Sequence, residues 1–383
     1  MQRCGRLSYV FLKDIPSVWI LKIDDDIIPT LIQRNVYRIY KLAAGNTKIT
    51  KKNSDFTVKA EYGLDGMAVY ESPMQAVVTI ESKKNFTGTL QIVGDTDSGQ
   101  IVTAFGRSIT LAAGESKTYR LTVAAPTSTG IMRLALLNER NKTVYEEKST
   151  VELSGIGEFS TVGVLSDDYG GLSYMNGTSI GVQGGSYNTV STLELTGDSF
   201  PENSEVLSIM SYMVIDNFDT STLSHNQYEA LKQWVSDGGV LILSLGSHYQ
   251  NVLAGFKDDF VSGELNDLSE KNMSWNVLGE ELTLDGVECI DFTLNDGQTL
   301  TGFGNEGTAY VKSYGMGNVV VLGYSLSMEP FAGYIRNNTV VASLLENSAD
   351  QKIINGSISG DYNSINNVGS RLTTLPESTK HPS

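Results

Sequence analysis

Three short segments carry residue types from which a site could be built. Ser166-Asp167-Asp168, Asn217-Phe218-Asp219 and Gly246-Ser247-His248-Tyr249-Gln250 each follow a run of apolar residues. Paired carboxylates such as Asp167 and Asp168 suit a hard cation such as Mg²⁺ or Ca²⁺, which takes oxygen ligands. No third ligand is evident, and the plainer reading is a strand-to-helix turn, where acidic residues meet the positive end of a helix dipole. Ser247 and His248 are chemically a nucleophile and a base, but adjacency in sequence does not aim one side chain at the other. A G-x-S-x-G elbow is missing too. Around Ser247 the glycine positions hold Leu245 and Tyr249, and around Ser244 the first holds Ile242. The candidate ligand pocket is therefore Asp167, Asp168, Asn217, Asp219, Ser247, His248 and Tyr249, with no catalytic residue, metal ligand or cofactor assigned.

The remaining reactive residues narrow the choice further. Histidine occurs only at 225, 248 and 381, and cysteine only at 4 and 289. Two cysteines exclude a disulfide scaffold and a multi-cysteine zinc site. His225 opens a predicted helix and reads as a surface residue. Cys289, inside Val287-Glu-Cys-Ile-Asp291, reads as a small buried hydrophobe. Gly302-Phe-Gly304-Asn-Glu-Gly307 fits G-x-G-x-x-G. A dinucleotide site needs a helix to open there, whereas Thr308-Ala-Tyr-Val-Lys312 reads as a strand, so the motif is a hairpin turn.

The elements that must position these residues fall into two kinds. From about Phe56 to Leu153 the pattern has period 2, as in Phe56-Thr-Val-Lys-Ala-Glu-Tyr62, Gln75–Glu81, Thr87–Val93 and Lys117–Val123. Alternation sends one side chain inward and the next to water. Turn clusters at Leu64-Asp-Gly66, Gly94–Gly99 and Ala112–Ser116 separate the runs. Six or seven short strands predict an antiparallel β-sandwich over 54–154.

Beyond Gly157 the apolar runs become continuous: Val162-Gly-Val-Leu-Ser166, Tyr212-Met-Val-Ile-Asp216 and Val240-Leu-Ile-Leu-Ser-Leu245. Such runs fit strands covered on both faces of a parallel sheet. Ser224-His-Asn-Gln227 is a capping box that predicts a helix, with Tyr228, Leu231, Trp234 and Val235 on one face and Gly238-Gly239 as its stop. Strand, helix, strand is a βαβ unit. Asp285-Gly286 and Asn295-Asp-Gly297 predict three short strands across Leu282–Phe303 as a β-hairpin elaboration. Strands at Tyr310–Lys312 and Asn318–Gly323 follow, and then a short helix over about 337–346.

The chain has 383 residues and a net charge of −16. An ordinary apolar content excludes wholesale disorder, and the acidity disfavours a nucleic-acid partner. Residues 1–53 carry ten Lys/Arg against four Asp and read as an N-terminal extension. The apolar run Val18–Ile23 is broken by Lys22 and stopped by Asp24, Asp25 and Asp26, so no signal peptide is readable. No apolar run reaches about 18 residues, the length of a transmembrane helix. Residues 347–383 read as a flexible polar tail.

The stretch Ser108–Val123 resembles the strand-turn-strand of bacterial immunoglobulin-like modules. The run Val214–Leu243, with Tyr314-Gly-Met-Gly-Asn-Val-Val-Val-Leu-Gly-Tyr324 and Pro330-Phe331, resembles the class I glutamine amidotransferase-like superfamily. More narrowly, it is similar to the non-catalytic version in bacterial surface and membrane proteins. The resemblance implies a flavodoxin-like α/β domain over 160–346 and an extracytoplasmic, cell-surface location. It also implies possible membrane association through segments not in this chain. An amidotransferase needs a cysteine on the sharp turn after a strand, and none lies near residue 246. The expectation is a non-enzymatic binding or structural module, its protein, small-molecule or glycan ligand unspecified. Two alternatives stay open: a hydrolase-type enzyme using the strand-end pocket, and a carbohydrate-binding surface module built on exposed tyrosines.

Overall fold

A computed structural model describes residues 8–10, 20–22, 48–70, 72–95, 101–126, 130–154, 160–182, 186–256, 260–305 and 307–354. Residues 1–44 form one unit, in which Ser8–Val10 pairs antiparallel with Ile20–Lys22. Residues 45–383 form the other.

Within the larger unit, alternating sequence gives a β-sandwich. Its strands are β1 (Lys48–Lys52), β2 (Phe56–Tyr62), β3 (Met67–Val69), β4 (Pro73–Ser82), β5 (Phe86–Asp95), β6 (Ile101–Leu111), β7 (Ser116–Ala124), β8 (Ile131–Asn138), β9 (Thr143–Thr150) and β10 (Glu152–Ser154). Two four-stranded antiparallel sheets, β1-β2-β4-β7 and β9-β8-β5-β6, face each other, and a short parallel ribbon pairs β3 with β10. The inward residues Phe56, Val58, Ala60 and Tyr62 of β2 are buried against Leu90, Ile92, Leu134 and Leu136 of the opposite sheet. One observation bears on the expected boundaries. The sandwich begins before residue 54, because β1 pairs along β2 from Lys48 to Lys52. Residues 1–7, 11–19 and 23–47 of the expected extension lie outside the described residues.

Continuous apolar runs give the second sheet. Its strands are β11 (Ser160–Leu165), β12 (Ser179–Val182), β13 (Ser186–Leu195), β14 (Tyr212–Asp216) and β15 (Val240–Ser244). A long hairpin follows, β16 (Gly263–Val277) and β17 (Glu280–Leu294), and then β18 (Gln298–Thr299), β19 (Ala309–Tyr314) and β20 (Gly317–Leu322). The sheet order is β12-β13-β11-β14-β15-β20-β19-β18. The central five strands, β13-β11-β14-β15-β20, are mutually parallel. Every residue of β11, β14, β15 and β20 is buried. That burial explains the absence of alternation, since both faces must be apolar.

Helices α1 (Ser204–Leu207) and α2 (His225–Ser236) cover one face. The predicted capping box is present: the Gln227 amide donates to Ser224 Oγ at 3.2 Å, and the Ser224 amide donates to Gln227 Oε1 at 2.8 Å. Leu231, Trp234 and Val235 bury against Met213, Ile215, Leu241 and Leu243. A short helix α3 (Tyr249–Leu253) follows β15. Helix α4 (Asn337–Ile354) lies on the other face, with Val340, Val341, Leu344 and Leu345 inward. It runs past the expected end at 346. Ser348 is fully buried, its hydroxyl donates to the Leu344 carbonyl at 2.6 Å, and its carbonyl accepts from Asn318 Nδ2 at 2.7 Å. Polar composition there conceals a helical turn satisfied by the sheet. Residues 355–383 of the expected tail lie outside the described residues. Among the described residues, no helix is long and apolar enough to cross a membrane.

The hairpin also differs from expectation. Its strands span fifteen residues each. Asp285-Gly286 is not its turn but an irregularity where the register shifts between Lys271 and Met273. The turn is Leu278-Gly279, with φ of 53° and 81°. Two consecutive positive φ values define the tight type I′ turn, which favours Asn-Gly. Leu278 occupies the first position with 94% of its surface exposed. It gains nothing from burial and strains its backbone. Leu278→Asn is expected to raise stability by about 0.5–1 kcal/mol, measured as a higher urea midpoint at unchanged slope.

Candidate functional site

Parallel strands β14 and β15 end side by side, with Asp216 in register with Ser244. The chain after β20 turns back across those ends as Gly323-Tyr324-Ser325-Leu326-Ser327. The result is a polar cluster at the carboxyl end of the sheet, the place where open α/β sheets bind ligands.

Asp216 is fully buried. Its carboxylate accepts hydrogen bonds from the hydroxyls of Ser244, Ser325 (3.0 Å to each oxygen) and Ser327 (2.6 Å). The amides of Leu326 and Ser327 donate as well, at 2.8 and 3.2 Å. A carboxylate offers about four lone-pair sites, and five groups converge on this one. Nothing on it remains for a metal ion or for a substrate proton. Desolvation holds its pKa above the ordinary carboxylate value, against the downward pull of the surrounding donors. Tyr174 closes the cluster from the side, its hydroxyl donating to the Leu326 carbonyl at 3.1 Å. Burial raises that phenol well above its usual range.

Gly246 forms the bend after β15 with φ +53°. A β-carbon there would lie 2.9 Å from the Ser325 amide nitrogen and 3.0 Å from the Ser325 β-carbon. The bend thus has neither a side chain nor room for one without moving the loop after β20.

The residues singled out from sequence occupy separate roles around this cluster. Asp167 is exposed, and its amide donates to the Asn217 carbonyl at 3.1 Å, bridging the ends of β11 and β14. Asp168 caps a 3₁₀ turn over Tyr169–Met175, accepting from the Gly171 amide at 3.1 Å. Asn217 holds φ +46°. Asp219 caps a second short turn through the Ser221 amide (3.0 Å) and hydroxyl (2.6 Å). The Ser247 hydroxyl donates to Met328 Sδ at 3.2 Å rather than to an imidazole. His248 Nδ1 is buried without a hydrogen-bond partner. The Tyr249 hydroxyl accepts from Gln250 Nε2 at 3.2 Å. Among the described residues, no group of three or more His, Cys, Asp or Glu could hold a metal ion. Cys289 is fully buried in β17, and burial pushes its thiol up to about 11. Gly302, Gly304 and Gly307 lead into β19, not into a helix.

Sequence reasoning stopped one residue short of the central group. Asp216 and Ser244 were legible as strand ends, and a charge closing a continuous apolar run was the available signal. The contribution of Ser325 and Ser327 required the fold.

Residues 55–152 match the family model described as Domain of unknown function (DUF8726), which covers the sandwich and well under half of the chain. No curated protein matches the sequence. Similar solved structures include the exo-β-1,4-mannosidase Op5Man5 from Opitutaceae bacterium strain TAV5, at 14% identity and a TM-score of 0.30. That likeness covers 42% of this chain and 28% of the mannosidase. The C-terminal domain of wzt is similar at 6% identity and a TM-score of 0.22, over 28% of this chain and 78% of that one. A β-glucosidase from Listeria innocua follows at 19% identity and a TM-score of 0.20, over 27% and 17% of the two chains. The chain thus spans about a quarter of the mannosidase's length, and similarity of this degree carries no argument.

Asp216→Ala would strand five buried donors. It is expected to cost about 4 kcal/mol or more, whereas Asp216→Asn, which keeps an acceptor in place, is expected to cost about 1–2 kcal/mol. A carboxyl with a raised folded pKa contributes most below its unfolded value of 3.8 and loses that contribution as pH rises through the folded value. The stability advantage of the native chain over Asp216→Asn should therefore shrink as pH rises above 3.8. Denaturant midpoints of both chains across that range check the sign.

Proposed function

We propose that this chain is a non-enzymatic region of a bacterial cell-surface or membrane-associated protein. In this reading an immunoglobulin-like sandwich carries a flavodoxin-like domain of amidotransferase type that keeps the framework without the chemistry. The parallel strand order, 2-1-3-4-5 in chain order, supports the flavodoxin-like reading. Sheets of that order bind ligands where the winding direction reverses, here between β11 and β14. Backbone bridging of Asp167 to Asn217 spans that point.

The observation that carries the reading is Gly246. A nucleophile in such a sheet sits on a sharp bend at a strand end, with its side chain exposed for attack. This bend has no side chain, and Ser325 fills the space in front of it. The neighbouring carboxylate, Asp216, is saturated by structural donors and has no lone pair left for acid–base work. The extracytoplasmic location rests on the sequence resemblance. A protein, small-molecule or glycan partner fits the reading better than nucleic acid, given the net charge of −16.

The full chain, offered glutamine and a panel of amide, ester and glycoside substrates, is expected to show no turnover above buffer. Turnover that disappears in Asp167→Ala, Ser247→Ala or His248→Ala, while the variant still unfolds cooperatively, would sink this reading in favour of a hydrolase.

A further inference from the structure

Strands β6 and β7 are consecutive and joined by the tight turn Ala112–Glu115, yet they belong to different sheets. Each is the edge strand of its sheet, and the two do not pair with each other. A cleft of about 420 Å³ lies at this mouth of the sandwich. Arg107, Lys117 and Arg120 line it, with Tyr119 in its wall and Glu202 as its carboxylate. In a chain of net charge −16, three cations against one anion reverse the local sign.

The cations are held in place. The Tyr119 ring is only 5% exposed. The Arg107 guanidinium lies 5.5 Å from its centroid and the Lys117 ammonium 5.8 Å, both within cation–π range. Arg120 donates to the Asp198 carbonyl at 3.1 Å. The nearest acidic residue in sequence, Glu115, is turned to the Ala112 amide at 2.7 Å. Among the described residues, Arg107 and Lys117 form no ion pair. Two like charges gathered on one ring repel each other, and an anion between them would offset that cost. The Tyr119 hydroxyl is buried there without a hydrogen-bond partner.

We propose that this cleft binds a tetrahedral oxyanion, a phosphate or sulfate group, through Arg107, Lys117 and Arg120. Three cations outnumber Glu202 and the nearby Glu115, and an oxyanion with several acceptor oxygens can engage more of them at once than a single carboxylate. Guanidinium groups suit such oxyanions because their donors are forked. The assignment gives the sandwich a ligand of its own and stands apart from the reading of the α/β sheet.

The test titrates the full chain with inorganic phosphate, sulfate and acetate at constant ionic strength, read by backbone amide NMR shifts. Saturable shifts centred on residues 105–120 are expected with phosphate or sulfate, and whichever saturates at the lower concentration identifies the group. Arg107→Gln with Lys117→Gln should weaken binding about tenfold or more. Lys142→Gln with Lys148→Gln removes the same charge at the opposite edge of the sandwich and should leave binding unchanged. All four residues are exposed, so the thermal midpoint of each double variant should stay at the native value. Shifts that fail to saturate, equal loss in both double variants, or acetate binding as tightly as the dianions would overturn the proposal.

Discussion

A single buried carboxylate organises the carboxyl end of the α/β sheet. Removing Asp216 from water carries a large desolvation cost, countered by donors from two separate segments that meet it. Ser244 comes from the adjacent strand, and Ser325, Leu326 and Ser327 come from the loop after β20. The geometry is demanding. A displacement of that loop by one residue would place the Leu326 side chain where a serine hydroxyl now sits. The carboxylate therefore fixes the position of the loop as well as joining β14 to β15, a role for buried polar networks in specifying one arrangement over its neighbours.

The hairpin braces the same loop from outside. The Ile290 amide donates to the Gly323 carbonyl at 2.8 Å, and Trp275 Nε1 donates to the Tyr324 hydroxyl at 3.0 Å. Trp275 also packs edge-on to Tyr324 and Phe331. Strand β17 divides its side chains between both cores: Val287 and Cys289 join the layer under α4, whereas Ile290, Phe292 and Leu294 join the layer under α2. The loop is thus pinned by Asp216 on one side and by an aromatic cluster on the other. Its rigidity keeps Ser325 against Gly246.

Much of this architecture could be read from local pattern. Period-2 alternation located the sandwich strands, and the Ser224–Gln227 box placed the start of α2 where it is found. Both signals are local, since side-chain alternation and capping depend on a few neighbouring residues. The misreadings were cases where tertiary contacts overrode composition. Ser348 belongs to a helix because Asn318 and Leu344 satisfy its polar groups. Asp285-Gly286 has turn chemistry but sits within a long bent strand, while Leu278-Gly279 makes the turn despite its leucine. Along β14 the sequence pointed to Asn217, one residue past Asp216, and along β15 to Ser247–Tyr249, three or more residues past Ser244. The loop that completes it joins residues about a hundred positions apart, which no local window can connect.

Chemical capacity depends on what a polar group has left after folding. Asp216 has the burial and raised pKa that often mark catalytic carboxylates, but its acceptor capacity is consumed by the chain's own donors. The cations at the sandwich mouth show the converse state. Arg107 and Lys117 are exposed, held on one ring and, among the described residues, joined to no ion pair. In this chain the residues with the most conspicuous burial close a sheet, and the residues with charge to spare lie at the edges where two sheets part.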